Sequence, residues 1–284
     1  MNEVDIESWV EAASADQRGF REAVHIILDS IGHSQNLKAK MVMKGGLLLA
    51  IRYDSSRFTR DLDFSTSDRY TAENAEVLLA EFEAELVAAE DRLPYGTACR
   101  LQSRKVEPKG ENRTHHNLAL TIGFANKSNS GAMARLQAKN SPSVVQIDYS
   151  FNEAVFEVEL LELDGGATIQ SYSLHNILAE KMRSLLQQPI RKRNRRQDVY
   201  DIWLLLESIE PLSLVELAQI HDMLIGSCRS KGIEPTAASI DDKSVIEMAR
   251  EGYVDLRDDV DGELPDFNDA MSRVGALYRS LPWV

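Results

Sequence analysis

Cysteine is scarce: Cys99 and Cys228 are the only two in 284 residues, and they sit in no CxxC or Cys/His spacing. A disulfide framework and a zinc knuckle are therefore not expected, and two reduced thiols in a reducing compartment are. Apolar runs are short as well. None reaches the roughly 18–20 residues a membrane helix needs, and the opening MNEVDIESWVEAASADQR has neither a basic nor an apolar leader region, so a cytoplasmic protein with no membrane partner is expected. GxSxG, HExxH and the lysine–serine pair of a P-loop are all missing, which removes three common enzyme classes. Basic residues are outnumbered, 32 against 45, for a net charge of −13. General coating of nucleic acid, which depends on neutralising phosphates, does not suit such a chain.

What is present is a globular composition, 43% hydrophobic and 27% charged, long enough to bury a sizeable core without disulfides or a structural metal. Charge is concentrated at one place. Residues 181–200 hold seven basic side chains, Lys181, Arg183, Arg191, Lys192, Arg193, Arg195 and Arg196, against Asp198 alone. A basic strip on an acidic body suggests a local anion site.

Periodicity orders the chain. Trp9, Val10, Ala13, Phe20, Val24, Ile27, Leu28 and Ile31 recur at helical spacing over 6–31, with a break near Ser14-Ala15-Asp16. A short strand at 41–43, the Gly45-Gly46 turn and a helix through LLLAIRY follow, then a strand over 61–65 and a helix over 71–86. Strands are expected at 98–107, 114–125 and 143–151, with a polar linker over 126–142, and in two pieces over 154–172 around Asp164-Gly165-Gly166. Helices are expected at 174–187, 197–208, 212–230, 241–252 and 266–280. The pattern thus predicts an α/β (α+β) fold: a mixed-sheet lobe over 1–172 and a helical lobe over 173–284.

Chemistry is suggested by three carboxylates. In a strand, residues i and i+2 share a face, so Asp61 and Asp63 point one way while Leu62 and Phe64 enter the core. Asp148, mid-strand in VVQIDY, can join them from a neighbouring strand. Converging carboxylates repel unless a divalent cation compensates, and hard oxygen donors with substrate phosphates suit Mg²⁺. A two-metal phosphoryl or nucleotidyl transfer site follows, with Gly45-Gly46 opening a helix whose backbone N–H groups can approach a triphosphate. His115-His116 are adjacent, point to opposite faces of a strand and cannot chelate together. The acidic run 255–261 before Gly262 is not a calcium loop, because Arg257 falls at its first ligand position.

Five blocks in this order resemble the AbiEii/AbiGii-type nucleotidyltransferase toxins of abortive-infection and type IV toxin–antitoxin systems. They are Lys44-Gly45-Gly46 with Leu49, Arg57-Phe58-Thr59-Arg60-Asp61-Leu62-Asp63-Phe64, Gln146-Ile147-Asp148-Tyr149, Glu180-Lys181 with Leu185, and Arg196-Gln197-Asp198-Val199-Tyr200-Asp201-Ile202-Trp203. Gln197 stands where relatives usually have arginine, and Gly46 where many have serine. The resemblance implies a nucleotidyltransferase-like sheet with a helical lobe closing the nucleotide cleft, and transfer of a nucleotide from a nucleoside triphosphate to RNA, at the 3′ end of tRNA; the alternatives are a protein or small-molecule hydroxyl as acceptor, or a nucleotide-binding module without catalysis. It implies Asp61, Asp63 and Asp148 as Mg²⁺ ligands and Lys44, Gly45, Gly46 and Arg60 as nucleotide contacts. Lys181 would neutralise the triphosphate, Asp198 would hold Lys181 or the nucleotide, and Asp201 is a second candidate for that task. Arg191, Lys192, Arg193, Arg195 and Arg196 would contact RNA, and a cognate antitoxin, which need not bind the toxin, is a further partner.

Overall fold

The structure is a computed structural model and describes residues 2–110 and 115–283. The chain forms two compact units: Met1–Ile51 with Arg60–Ser171, and Arg52–Thr59 with Tyr172–Val284.

The first unit is built on an eight-stranded mixed sheet. Its strands are β1 (Asn2–Val4), β2 (Val42–Lys44), β3 (Asp61–Ser65), β4 (Thr97–Glu107), β5 (Asn117–Asn126), β6 (Val144–Ser150), β7 (Val158–Leu163) and β8 (Thr168–Tyr172). They lie in the order β1-β7-β8-β2-β3-β6-β5-β4. β3 runs antiparallel to β2 and parallel to β6, and β5 is antiparallel to both β6 and β4. Period-two alternation sorts the faces. Leu62, Phe64, Leu118, Leu120, Ile122, Val145, Ile147 and Tyr149 are each at most 1% exposed. This apolar face packs against α2 (Arg18–His33) and α5 (Ala72–Arg92). α1 (Ile6–Glu11) precedes them, and α4 (Gly45–Arg52) starts directly from β2.

Three elements of this unit escape a reading of the sequence. β1 and α3 (Gln35–Lys40) are too short for any period to register. The third, α6 (Ser130–Gln137), lies inside the expected polar linker. It is fixed by its Asn129 cap, whose side chain accepts from the Ala132 N–H, and by a small apolar patch, Leu136 with Ala132 and Met133 on Ala98 and Ala125. The strand expected from residue 114 begins at Asn117, and Thr114 itself lies outside the described residues.

The second unit is helical: α7 (Leu174–Arg191), α8 (Arg196–Ser208), α9 (Leu214–Ser230), α10 (Lys243–Arg250) and α11 (Phe267–Ser280), with 3-10 turns at Ser239–Asp241 and Tyr253–Asp258. α7 packs against α8, α9 and α10, and α11 against α8. α7 runs through Pro189, beyond the expected end at 187. Pro189 has no N–H for the Leu185 carbonyl, and the Gln188 side-chain amide donates to that carbonyl instead, at 3.1 Å. The helix then stops at Lys192, in the left-handed region at φ 51°. Residues 52–59 group with these helices although they precede them in sequence. The Phe58 N–H donates to the Asp259 carbonyl and the Asp261 N–H to the Ser56 carbonyl. Among the described residues no helix is long and apolar enough to cross a membrane.

Candidate active site

In the first unit the carboxylates lie on the sheet face opposite the core. Antiparallel and parallel partners across a ladder share a face, so the register β2–β3–β6 sets Lys44 beside Asp63 and Asp63 beside Asp148. Asp61 lies two residues along β3 from Asp63, with Gln146 as its neighbour on β6. Asp61 and Asp148 are exposed and Asp63 is half-buried. Although Asp61 meets solvent, partial desolvation by surrounding atoms first, and the charge of Asp148 second, push its carboxyl above the ordinary carboxylate range, with Arg60 opposing.

The glycine turn lies beside the same carboxylates. Gly45 has φ +80°, a conformation costly for any side chain, and a Cβ there would sit 2.0 Å from Asp63 Oδ2. Glycine is therefore required at the point where the chain turns from β2 into α4 under the Asp63 carboxylate. Gly45→Ala is expected to cost about 1–3 kcal/mol from backbone strain and to drive the Asp63 carboxylate from its place. The check is a melting curve alongside a turnover assay, and a variant with wild-type values for both would overturn this account.

The donor set fits a hard divalent cation: its oxygens are all carboxylate, two carboxylates are adjacent across a strand pair, and a third lies within the field of the second. Among the described residues no three His, Cys, Asp or Glu side chains converge on one point. What the sheet presents is an open carboxylate face. That suits Mg²⁺, which keeps several waters and takes its remaining ligands from one or two carboxylates and substrate phosphates.

The second unit holds a charge cluster of another kind. Lys181 Nζ on α7 donates to Asp198 Oδ1 at 3.0 Å and to Asp201 Oδ2 at 2.7 Å, both on α8. Arg57 grips Asp201 with both arms, Nε to Oδ1 at 2.8 Å and Nη2 to Oδ2 at 2.9 Å. Asp201 is 0% exposed. Burial alone would raise its pKa, but Lys181 and Arg57 more than reverse that and hold it below the usual carboxylate range. Burial likewise opposes the charge on Lys181, and Asp201 and Asp198 outweigh it, leaving the ammonium pKa raised. Two cations and two carboxylates balance. An ammonium has three donors, and two of those on Lys181 are committed, so a phosphate-binding role would have only the third to work with.

Sequence reasoning gave Arg57 no role, although it opens the block that contains Asp61 and Asp63. It ranked Asp201 behind Asp198, yet Asp201 makes the shorter bond to Lys181 and is the one gripped by Arg57. The helical spacing that puts both on one face was visible; the arginine from residues 52–59 was not.

The basic strip divides. Arg191, Lys192 and Arg193 are exposed, and none of them pairs with an acid among the described residues. Arg195 and Arg196 are half-buried: the Arg195 N–H donates to Gln188 Oε1 at 2.7 Å, and Arg196 Nη1 lies 3.3 Å from Asp255 Oδ2. Asn194, just before them, donates to the Met248 and Glu251 carbonyls, so the loop is tied to α10.

A mixed sheet with adjacent aspartates on one face of its central strands, and a glycine turn opening a helix beside them, suits a nucleotidyltransferase. The sequence model of the family described as nucleotidyl transferase AbiEii toxin, type IV toxin–antitoxin system, matches residues 27–273. The chain belongs to that family, and it is a toxin of that kind. Among solved structures, that of JHP933 from Helicobacter pylori is similar in fold, at 15% identity over 95% of this chain and 93% of that one, with a TM-score of 0.54. MenT4, a nucleotidyltransferase toxin of Mycobacterium tuberculosis, aligns over 97% of both chains at 15% identity and a TM-score of 0.46. No curated protein sequence matches the chain.

Proposed function

We propose that this toxin transfers a nucleoside monophosphate from a nucleoside triphosphate to RNA, with the 3′ acceptor end of tRNA as the hydroxyl donor, in a Mg²⁺-dependent reaction. The observation that carries the reading is the row Lys44, Asp63, Asp148 across three strands, with Asp61 adjacent on β3. The acceptor hydroxyl attacks the α-phosphorus, a new P–O bond forms, and the bond to pyrophosphate breaks. Bound Mg²⁺ would neutralise charge developing on the phosphate oxygens. Asp61, Asp63 and Asp148 hold it, Asp148 also orients the attacking hydroxyl, and Lys44, Arg60 and the Gly45-Gly46 backbone contact the nucleotide. Lys181, fixed by Asp198 and Asp201, supplies positive charge toward the triphosphate. Capping the acceptor end blocks aminoacylation, stops translation and arrests growth in the cytoplasm, and the cognate antitoxin need not bind the toxin to relieve it.

RNA as the acceptor is favoured by the exposed trio Arg191, Lys192 and Arg193 on a chain of net charge −13. If each contacts one phosphate, replacing all three by alanine lowers the slope of log affinity against log salt by about 2, at roughly 0.7 per contact for single strands. An unchanged slope would remove the strip from the interface. The function itself is tested with each α-labelled nucleoside triphosphate, Mg²⁺ and total cellular RNA, using the intact chain and an Asp61→Ala/Asp63→Ala variant. Label in a tRNA-sized band only with the intact carboxylates is expected. Label in protein, or in no product under any of the four nucleotides, would overturn RNA as the acceptor.

A further inference from the structure

One polar side chain beside the carboxylates belongs to none of the roles above. Asn117 opens β5 on the same sheet face as Asp148, one ladder step away diagonally, since Ala119 is the direct partner of Asp148 and Asn117 that of Ser150. Its amide nitrogen donates to Asp148 Oδ1 at 3.0 Å. Its own Oδ1 is buried and has no hydrogen-bond partner among the described residues. The amide cannot be turned over to relieve this, because its oxygen would then face a carboxylate oxygen, acceptor against acceptor. A buried acceptor left unpaired is costly and calls for an explanation.

The surroundings show that this placement is fixed and not a surface accident. The preceding residue, His116, is buried, stacks on Tyr70 with ring centroids 4.6 Å apart, and is tied through Nε2 to the Gly110 carbonyl. The Phe151 N–H donates to the His116 carbonyl, and Phe151 packs against both Tyr70 and Tyr149. Three aromatic rings and a histidine thus clamp the start of β5 against the end of β6. Asn117 is held where it can reach Asp148 and little else.

On the reading of Asp61, Asp63 and Asp148 as cation ligands, we infer that Asn117 is a positioning residue for the third carboxylate. The amide holds Asp148 by Oδ1 and leaves Oδ2 outside that bond, so the carboxylate meets a divalent cation in one orientation instead of several. Because β6 lies between β3 and β5, the Asn117 amide braces Asp148 from the side away from Asp63, and the buried, unpaired Asn117 Oδ1 is the cost at which that bond is kept. This is the usual work of a residue behind a metal ligand, and its loss typically costs about 10–100-fold in metal affinity.

The test is Mn²⁺ binding to the full chain, followed by the loss of the free-ion electron paramagnetic resonance signal, which needs no acceptor and no turnover. Asn117→Ala and the near-isosteric Asn117→Leu are compared with wild type, Thr121→Val and Asp148→Ala, with melting curves showing which variants are folded. Both Asn117 variants are expected to bind Mn²⁺ about 10–100-fold more weakly. Thr121→Val, a polar loss on the same face of β5, is expected to stay within about twofold of wild type, and Asp148→Ala to bind most weakly of all. If Asp148→Ala loses affinity while a folded Asn117 variant keeps that of wild type, the positioning role is wrong and the carboxylate site stands. If Asp148→Ala binds as wild type does, the carboxylate reading fails and takes the inference with it.

Discussion

Asp201→Asn is expected to destabilise the helical unit by about 3–5 kcal/mol, the usual effect of breaking a buried ion pair from one side. The substitution is close to isosteric, so packing is preserved and the charge alone changes. Asp201 is 0% exposed and compensates two cations at once, Lys181 at 2.7 Å and Arg57 through paired bonds of 2.8 and 2.9 Å. Without it, Asp198 and the charge of Asp259 on Arg57 are left to balance both. For a unit of this size the loss corresponds to a fall in Tm on the order of 10–20 °C. Trp203, on α8 with its ring 5.9 Å from that of Tyr200, reports the unfolding by fluorescence. A loss below about 1 kcal/mol would mean that water reaches the cluster and that it is no better than a surface pair.

The same network predicts a dependence on acid. Asp201 has a folded-state pKa below its ordinary value of 3.8. A depressed carboxylate contributes stability above its unfolded pKa and loses it as pH falls through the folded value. The contribution should therefore be complete at neutral pH and vanish only below pH 3.8. In Asp201→Asn the acid unfolding curve should lack this step.

Asp63→Asn is expected to act in the opposite way, lowering turnover by about 10²–10³-fold or more while leaving the fold as stable as wild type or slightly more so. Asp63 faces Asp148 across β3 and β6, and Asp61 already feels the charge of Asp148. Removing one negative charge from such a group relieves repulsion from Asp148 in the free protein and gives up attraction to the neighbouring Lys44, so the two changes offset. It also removes an oxygen donor that the proposed reaction needs. Residues placed for chemistry commonly show this opposition between stability and activity. Steady-state nucleotide transfer and a thermal melt on the same sample check it, and a variant that keeps turnover would remove Asp63 from the site.

The two aspartates therefore separate two jobs that the sequence presents alike. Asp63 and Asp201 are both acids in blocks that resemble one family, and both lie near a lysine. Asp63 is half-buried on an open sheet face, whereas Asp201 is enclosed and saturated with cations. Effects on activity without loss of stability should mark the first, and loss of stability the second.

Much of this protein was legible in the order of its residues. Alternation in Asp61-Leu62-Asp63-Phe64 requires that the acids and the core residues part company, and β3 does so. Helical periods located α2, α5 and all five helices of the second unit to within a few residues at most ends, because amphipathic spacing is a local property. Glycine at position 45 was also marked, since a turn into a helix requires it. Short or weakly apolar elements such as α3 and α6 were not, because a cap and a few distant contacts hold them rather than a periodic face.

What no local pattern could decide was pairing. Which strand lies beside β3, and in what register, depends on the whole sheet, and a shift of one residue would turn Asp148 into the core. The grip of Arg57 on Asp201 joins positions 144 residues apart, and the bond from Asn117 to Asp148 spans 31. The sequence by itself determined the chemistry available and the face on which each strand and helix presents it. Only the tertiary structure decided which charges meet, because hydrogen bonds and ion pairs act over a few ångströms in space and are indifferent to separation along the chain.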